Sequence, residues 1–277
     1  MELRHPIVLS PDEGRGTVAE PKGYVDSEYL QAAARLLHAA KQRSYLFMQL
    51  QPRQKALDVG CGPGTDTVVL GQIVGPSGTV SGLDNDAAMV AEADRRARDA
   101  GVSAWVEHRL GEASALPWEA NEFDACRSER LFEHLPRPED ALAEMVRVAK
   151  PGGRVVVLDT DWGSLSTDAE EPDIERCLAR VHAERCLYNG YSGRQLCRLF
   201  RRGNLVDIAI EVIPVFITSY TTARDLFRLD WSEKEALAAG IVTGQDLERW
   251  HVSLERADAE GVFFASVSLV LVGGRKI

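Results

Sequence analysis

Residues 56–65 read Ala56-Leu-Asp-Val-Gly-Cys-Gly-Pro-Gly-Thr65, a short apolar run that breaks into three glycines at alternate positions. An apolar run of this length, bounded by a turn signal, reads as a buried strand. Glycines let a ligand approach the backbone closely, and a helix is expected to follow them to about residue 74. Strand, glycine turn and helix in this order build an anion-tolerant nucleotide pocket, because the helix start offers unpaired N–H groups. Taken alone the glycine spacing also describes a tight turn, so its neighbours decide the reading.

Working outward, the same texture repeats across residues 55–160. Residues 79–84 read as a strand after the turn Pro76-Ser-Gly78, and residues 86–100 as a helix closed by Gly101. Strands follow at 105–110 and 123–128, then a helix at 138–149 carrying Ala141, Leu142, Met145 and Val148 on one face. The turn Pro151-Gly-Gly153 leads into 154–159, the most strand-like segment. Strands alternating with helices at this spacing imply crossover connections and a parallel sheet.

The flanks differ. Residues 1–25 look like an irregular arm, 27–40 like a helix with Leu30, Leu36, Leu37 and Ala40 on one stripe, and a second short helix carries Leu46, Phe47 and Leu50 until Pro52 stops it. Beyond Asp159, Ile174, Cys177, Leu178 and Val181 fit one helix face, and Leu196, Leu199 and Phe200 another that Gly203 ends. A β-rich run at 205–218 is interrupted by Pro214, Thr243 caps a helix carrying Leu247, Trp250, Leu254 and Ala257, and 263–272 is the last strand. The expected division is an arm with lid helices at 1–54, an α/β core at 55–160, and helical insertions with two further strands at 161–277.

Composition sets the limits. The chain has 277 residues, 45% apolar and 27% charged, which suits a globular protein of one large domain or two. With 32 basic and 42 acidic residues its net charge is −10, which argues against nucleic acid as the main partner. No stretch approaches the roughly 18 consecutive apolar residues of a membrane span. The first 14 residues lack a basic region followed by an apolar block, so a cytoplasmic location is expected. Five cysteines (61, 126, 177, 186 and 197) form no C-x-x-C pair and suggest reduced thiols, with neither a disulfide framework nor a metal site.

Acidic residues choose between nucleotide ligands. Asp58 lies two residues before the first glycine, Asp84 lies 20 residues after Gly64 at the end of the next strand, and Glu112 and Ala113 follow the third strand. A carboxylate at position 84 suits ribose hydroxyls, and a nucleobase would lie near 112 and 113. A dinucleotide pyrophosphate goes with G-x-G-x-x-G, whereas here Thr65 and Asp66 follow Gly64. Asp58 and Asp66 would face a pyrophosphate unfavourably. Asp58 suits an ammonium group, so S-adenosylmethionine, which carries ribose, adenine and an ammonium without phosphate, is favoured over NAD.

Four ordered motifs then carry a family resemblance. The stretch 56–65 resembles the first motif of class I S-adenosylmethionine-dependent methyltransferases, and Gly82-Leu-Asp84 with Met89 the second. Gly111-Glu112-Ala113 with Leu116-Pro117-Trp118 and Phe123-Asp124 is similar to the third, and Met145-x-Arg147 through Pro151-Gly-Gly153 to the motif before strand five. The subgroup resembled includes ubiquinone and menaquinone C-methyltransferases and small-metabolite enzymes. The resemblance implies a Rossmann-like, seven-stranded, mostly parallel sheet with an antiparallel last strand. It implies that Asp58 and the loop Gly60, Cys61, Gly62 and Gly64 hold the methionine part, Cys61 through its backbone. Asp84, with Asn85 beside it, takes the ribose, Met89 packs near the adenine, Glu112 and Ala113 meet the adenine edge, and Arg127 with Ser128 faces the amino acid. The family usually has Asp where Glu112 stands, and the longer side chain still reaches the adenine amine.

Methyl transfer from a sulfonium is an in-line displacement that needs alignment and a dry site, with a general base where the accepting atom carries a proton. The active face lies beyond the carboxyl ends of the strands. His134 is the base expected there, or else the cap of a short helix before Pro136. Glu129 orients substrate or pairs with Arg127 or Arg130, and Asp161 polarises a substrate group or caps a turn. Tyr188 and Tyr191 line the acceptor pocket or pack, and Trp250 is core. Segments 27–50, 163–203 and 219–261 would form a lid over a small, moderately hydrophobic acceptor. The expected activity is methylation of O, N or C on that acceptor, with a homodimer possible. The alternatives are an S-adenosylmethionine binder that transfers no methyl, in a structural or other catalytic role, and an NAD(P)-dependent oxidoreductase.

Overall fold

The computed structural model describes residues 36–277. Seven strands form one sheet, β1 (Lys55–Val59), β2 (Thr79–Asp84), β3 (Val106–Leu110), β4 (Phe123–Glu129), β5 (Ala149–Thr167), β6 (Val206–Ile217) and β7 (Ala265–Arg275). Their order across the sheet is β3-β2-β1-β4-β5-β7-β6. The first five run parallel. Strand β7 enters between β5 and β6, antiparallel to both. The strand order reverses between β1 and β4, so a crevice for a ligand opens at their carboxyl ends.

Helices cover both faces, which is why the apolar stretches 56–59 and 155–158 are buried without alternation. Side chains alternate along a strand. Thus Ala56, Ala125 and Val156 face α1 (His38–Met48) and α2 (Thr65–Val74), with Leu70 and Met48 among their neighbours. Leu57, Cys126, Val155 and Val157 face α4 (Pro138–Val148) and α6 (Ser192–Arg202), meeting Leu142, Met145, Leu196 and Phe200. Helix α3 (Ala87–Asp99) flanks β2 and β3. The remaining helices, α5 (Pro172–Val181), α7 (Tyr220–Leu226), α8 (Leu229–Ala238) and α9 (Gly244–Ala259), bury Leu178, Phe227 and Trp250 in the first of these clusters.

Several boundaries differ from the periodicity. One helix, α1, runs through position 40, where the pattern suggested an end and a second start, because Ala40, Ser44, Tyr45 and Met48 continue a single buried face. The expected helix start at residue 27 and the arm before it lie outside the described residues. Strand β5 extends to Thr167, because β7 continues the ladder past an irregularity between Asp161 and Ser166. Cys177 is exposed, unlike Ile174, Leu178 and Val181 on the same helix. Pro214 is accommodated because β6 is an edge strand, paired only with β7. The capping residue Thr243 forms the full reciprocal box with Asp246. Among the described residues no helix is long and apolar enough to cross a membrane.

Candidate active site

The glycine loop has the backbone its composition calls for. Gly60, Gly62 and Gly64 have φ of +72°, +51° and +74°, a region costing other residues roughly 1–2 kcal/mol. Gly60 and Cys61 donate their N–H groups to the Leu83 carbonyl at 2.8 and 2.9 Å, which ties the loop to the end of β2. A Cβ on Gly64 would lie 2.6 Å from the Cβ of Ala93, so α3 packs directly on the turn. One on Gly62 would meet nothing within 4 Å, so this is the side from which a ligand can approach. Asp84 accepts from Gly62 N at 2.8 Å and Asp86 N at 3.0 Å, which fixes its carboxylate at the lip of the loop. Carboxylate oxygens bonded once each keep lone pairs for hydroxyl groups.

The other expected donor contacts lie around that lip. Asn85 is exposed and Met89 half-buried at the start of α3, while after β3 Glu112 is exposed and Ala113 buried. Burial, then the charges of Asp58 and Asp84, push the Cys61 thiol well above its ordinary range, so it is no thiolate nucleophile. Behind the loop, His108 bonds Thr67 Oγ1 at 2.8 Å and Asp94 at 2.8 Å, and the Thr67 hydroxyl donates to the Gly64 carbonyl. The His108 ring fits because position 82 is glycine, where a Cβ would lie 2.6 Å from its Cδ2.

A buried charge cluster sits under the loop. The β1–β4 register pairs Asp58 with Arg127, and their side chains share the face covered by α1 and α2. Arg127 reaches Asp58 at 3.1 Å, Asp66 at 3.5 Å, the Ser44 hydroxyl at 3.0 Å, and Glu129. Lys41 bridges Asp66 at 2.7 Å and Glu129 at 2.8 Å, while the Tyr45 hydroxyl donates to Asp66. Three carboxylates thus surround Arg127 and Lys41, with Arg130 at the edge beside Glu129. Burial disfavours the Arg127 charge, but Asp66, Asp58 and Glu129 outweigh it and hold its pKa well above the ordinary value. Burial raises Asp58 to about 7 against the opposing pull of Arg127. Asp66 goes the other way, since Arg127 and Lys41 overcome its burial and hold it below the usual carboxylate range. Asp58 therefore stands already paired to a guanidinium rather than bare, and Glu129 is held by Arg127 and Lys41, with Arg130 at 3.7 Å.

On the acceptor side, His134 ends a single 3-10 turn, Phe132–His134, with its Nε2 3.5 Å from Glu133 and its side chain 39% exposed. Asp161 is bound by Arg194 Nε at 2.8 Å to both oxygens, so it is an ion-pair anchor for α6 and not a turn cap. Tyr188 is exposed, and Tyr191 packs under Arg194. A second carboxyl pair went unnoticed in the sequence. Asp159 accepts from Phe132 N at 2.7 Å and Thr160 N at 2.8 Å and shares a hydrogen bond with Glu133. Glu133 in turn accepts from the Trp162 indole at 2.8 Å.

Burial, then the Glu133 charge, raises the Asp159 pKa well above its ordinary value. Its proton is retained on folding, whereas the unfolded chain releases it above about pH 4. The associated stability is complete below that pH and is lost as pH rises toward the folded pKa, at up to about 1.4 kcal/mol per pH unit. Asp58 acts with the same sign. In Glu133→Gln the amide can donate to Asp159 and still accept from Trp162. Thermal melts at pH 5 and pH 8 should therefore show a smaller loss of Tm in the variant than in the parent chain. Equal losses would remove the shared proton.

The comparisons with known proteins follow the same geometry. The family model described as a methyltransferase domain matches residues 57–157, from β1 into β5. A demethylmenaquinone methyltransferase of a Geobacillus species (strain WCH70) is 37% identical over 178 residues, covering 59% of this chain and 76% of that one. The chain belongs to the class I S-adenosylmethionine-dependent methyltransferases. An uncharacterised 37.1 kDa protein of transposon TN4556 from Streptomyces fradiae is 36% identical over 236 residues, 83% of this chain and 66% of that one. The solved structure of YcgJ from Bacillus subtilis superposes with a TM-score of 0.60 at 19% identity, over 87% of this chain and 98% of that one, a likeness of fold. The chain spans about half the length of several other demethylmenaquinone methyltransferases it matches, 51% and 49% in two of them.

Proposed function

We propose that the chain transfers a methyl group from S-adenosylmethionine to O, N or C of a small, moderately hydrophobic acceptor, leaving S-adenosylhomocysteine. The observation that carries this reading is the glycine cradle with a carboxylate at each of two strand ends, Asp58 buried beneath the loop and Asp84 fixed at its lip. Carboxylates at these places favour a cationic, phosphate-free nucleoside over a pyrophosphate. The open flank of Gly62 and the fixed Asp84 carboxylate fit the methionine and ribose parts of that nucleoside.

When bound, S-adenosylmethionine supplies a methyl already activated on a cationic sulfur. The chain's own residues bind, orient and dry the site. The loop from Gly60 to Gly64, Cys61 included, and Asp58, steadied by Arg127, hold the methionine part, and Asp84 with Asn85 orients the ribose. Met89, Glu112 and Ala113 surround the adenine. Glu129 and Asp161 act as positioning residues, since cations hold both. His134 takes a proton where the accepting atom carries one. The helices packed over the strand ends exclude water. Free cysteines among the described residues support a cytoplasmic setting.

Incubation of the full chain with methyl-labelled S-adenosylmethionine and fractionated metabolite extracts should move label into an organic product. Label that stays wholly in the donor across all fractions would overturn the transferase reading. His134→Ala should then lower turnover by about 100-fold, at the low end of general-base effects, with donor affinity unchanged in calorimetry. Equal turnover would remove His134 as the base.

A further inference from the structure

Strand β6 is an edge of the sheet, and its two faces differ. Ile213, Val215 and Ile217 turn into the cluster under α1 and α2. Ile208 lies on the other face, with Val270 and Val272 of β7 and with Leu196 and Phe200 of α6. Past Ile208 that second face emerges into solvent, since Ile210, Val212 and Phe216 are each more than half exposed. Phe216 stacks on the exposed Phe264 at 6.2 Å between ring centroids. Side-chain alternation puts Ile208, Ile210, Val212, Pro214 and Phe216 on this face, so the strand brings no charge to it. Contiguous exposed apolar surface with a polar border marks a docking site.

Helix α6, on the same face, supplies the border. Its Arg198, Arg201 and Arg202 are exposed, and among the described residues nothing pairs with their side chains. Arg194 differs, being held by Asp161. The helix contains no acidic residue. Carboxylates of the adjoining elements already have cations, Asp207 in Arg275, Asp140 in Arg137 and Glu144 in Arg147. Three uncompensated arginines therefore stand beside an uncharged apolar strip, on a chain whose net charge is −10. A cationic patch and an apolar face are the two signals that together hold a protein at an anionic bilayer. The acidic remainder of the chain opposes this little, because charges farther than about 8 Å are screened at physiological salt. A second copy of the chain suits the face less well. It would bring two arginine rows to one interface, and Pro214 blunts extension of the sheet by another strand.

We propose that this face docks on an anionic phospholipid bilayer, with Ile210, Val212, Phe216 and Phe264 set into the interface and Arg198, Arg201 and Arg202 against the headgroup phosphates. The full chain is sedimented at physiological salt with vesicles of phosphatidylcholine alone and of phosphatidylcholine mixed with phosphatidylglycerol. It should partition onto the mixed vesicles and hardly onto the neutral ones. Replacing the three arginines together by glutamine should weaken that partitioning on the order of 100-fold, the combined effect of three cations near an anionic surface. Phe216→Ser should weaken it about tenfold through lost apolar burial. Arg98→Gln removes an exposed charge from α3, beside β2 and β3 at the far edge, and should leave partitioning unchanged. Equal partitioning onto both vesicle types, partitioning onto neither, or a triple variant that behaves as the parent would overturn the proposal. The chain alone is also run to sedimentation equilibrium. A dimer that Phe216→Ser dissociates, with vesicles left unbound, would give the face to a second copy and overturn the proposal as well. All these side chains lie outside the proposed donor site, so calorimetry with S-adenosylhomocysteine on the same samples should match the parent and reads the methyltransferase assignment separately.

Discussion

Arg127→Met should lower folding stability by about 3–5 kcal/mol, the usual cost of deleting one partner from a buried ion pair. Arg127 is 1% exposed and is the group on which Asp58, Asp66 and Glu129 converge. Methionine fills much of the volume but leaves three carboxylates facing Lys41 and, at Glu129, Arg130. The loss should be greater at pH 8 than at pH 5. Carboxylates relieved of their cation take up protons more readily, so acid conditions neutralise part of the repulsion. Adding Asp58→Asn to the same chain should recover part of the stability by removing one uncompensated charge, and chemical denaturation of the single and double variants reads both effects. A single variant that melts with the parent would mean that the cluster is not held by Arg127.

Asp84→Ala should weaken binding of S-adenosylhomocysteine by roughly 1–3 kcal/mol, the cost of leaving polar partners unmatched, or about 5- to 150-fold. Two effects add. The ribose hydroxyls lose their acceptor, and the N–H groups of Gly62 and Asp86 lose the carboxylate that fixes the loop lip. Asp84→Asn keeps one carbonyl oxygen and should lie between alanine and the parent. Asp84 is at the surface of the crevice rather than in the core, so melting temperature should change little while affinity changes much. Unchanged affinity in both variants would take the ribose role away from Asp84.

The Rossmann-like sheet was legible because its signals are local. Apolar runs, glycine turns and capping residues each act within a few positions, and β1 to β4 stand within a residue of where those signals put them, while β5 runs past 154–159 at both ends. The glycine turn was legible for the same reason, since Gly60, Gly62 and Gly64 have positive φ whatever surrounds them. Of the charge cluster only the pairing of Glu129 with Arg127 and Arg130 was legible. Lys41 meets Glu129 across 88 positions and Arg127 meets Ser44 across 83, and no spacing rule links residues so far apart. Asp66 reads as a charge unfavourable to a pyrophosphate, and it is buried and paired with Lys41. The pair Asp159 and Glu133 was hidden likewise, since only the adjacency of β5 to the turn after β4 brings the two carboxyls together. Arg130 carries no sequence mark of its positive φ, which arises from the turn that follows β4.

Calorimetric titration of the full chain with S-adenosylmethionine, beside a parallel titration with NADH, bears most directly on the charge selection at the glycine loop. One equivalent of the sulfonium compound should bind, and the dinucleotide should give no heat beyond dilution. Heat from NADH with none from S-adenosylmethionine would contradict the account.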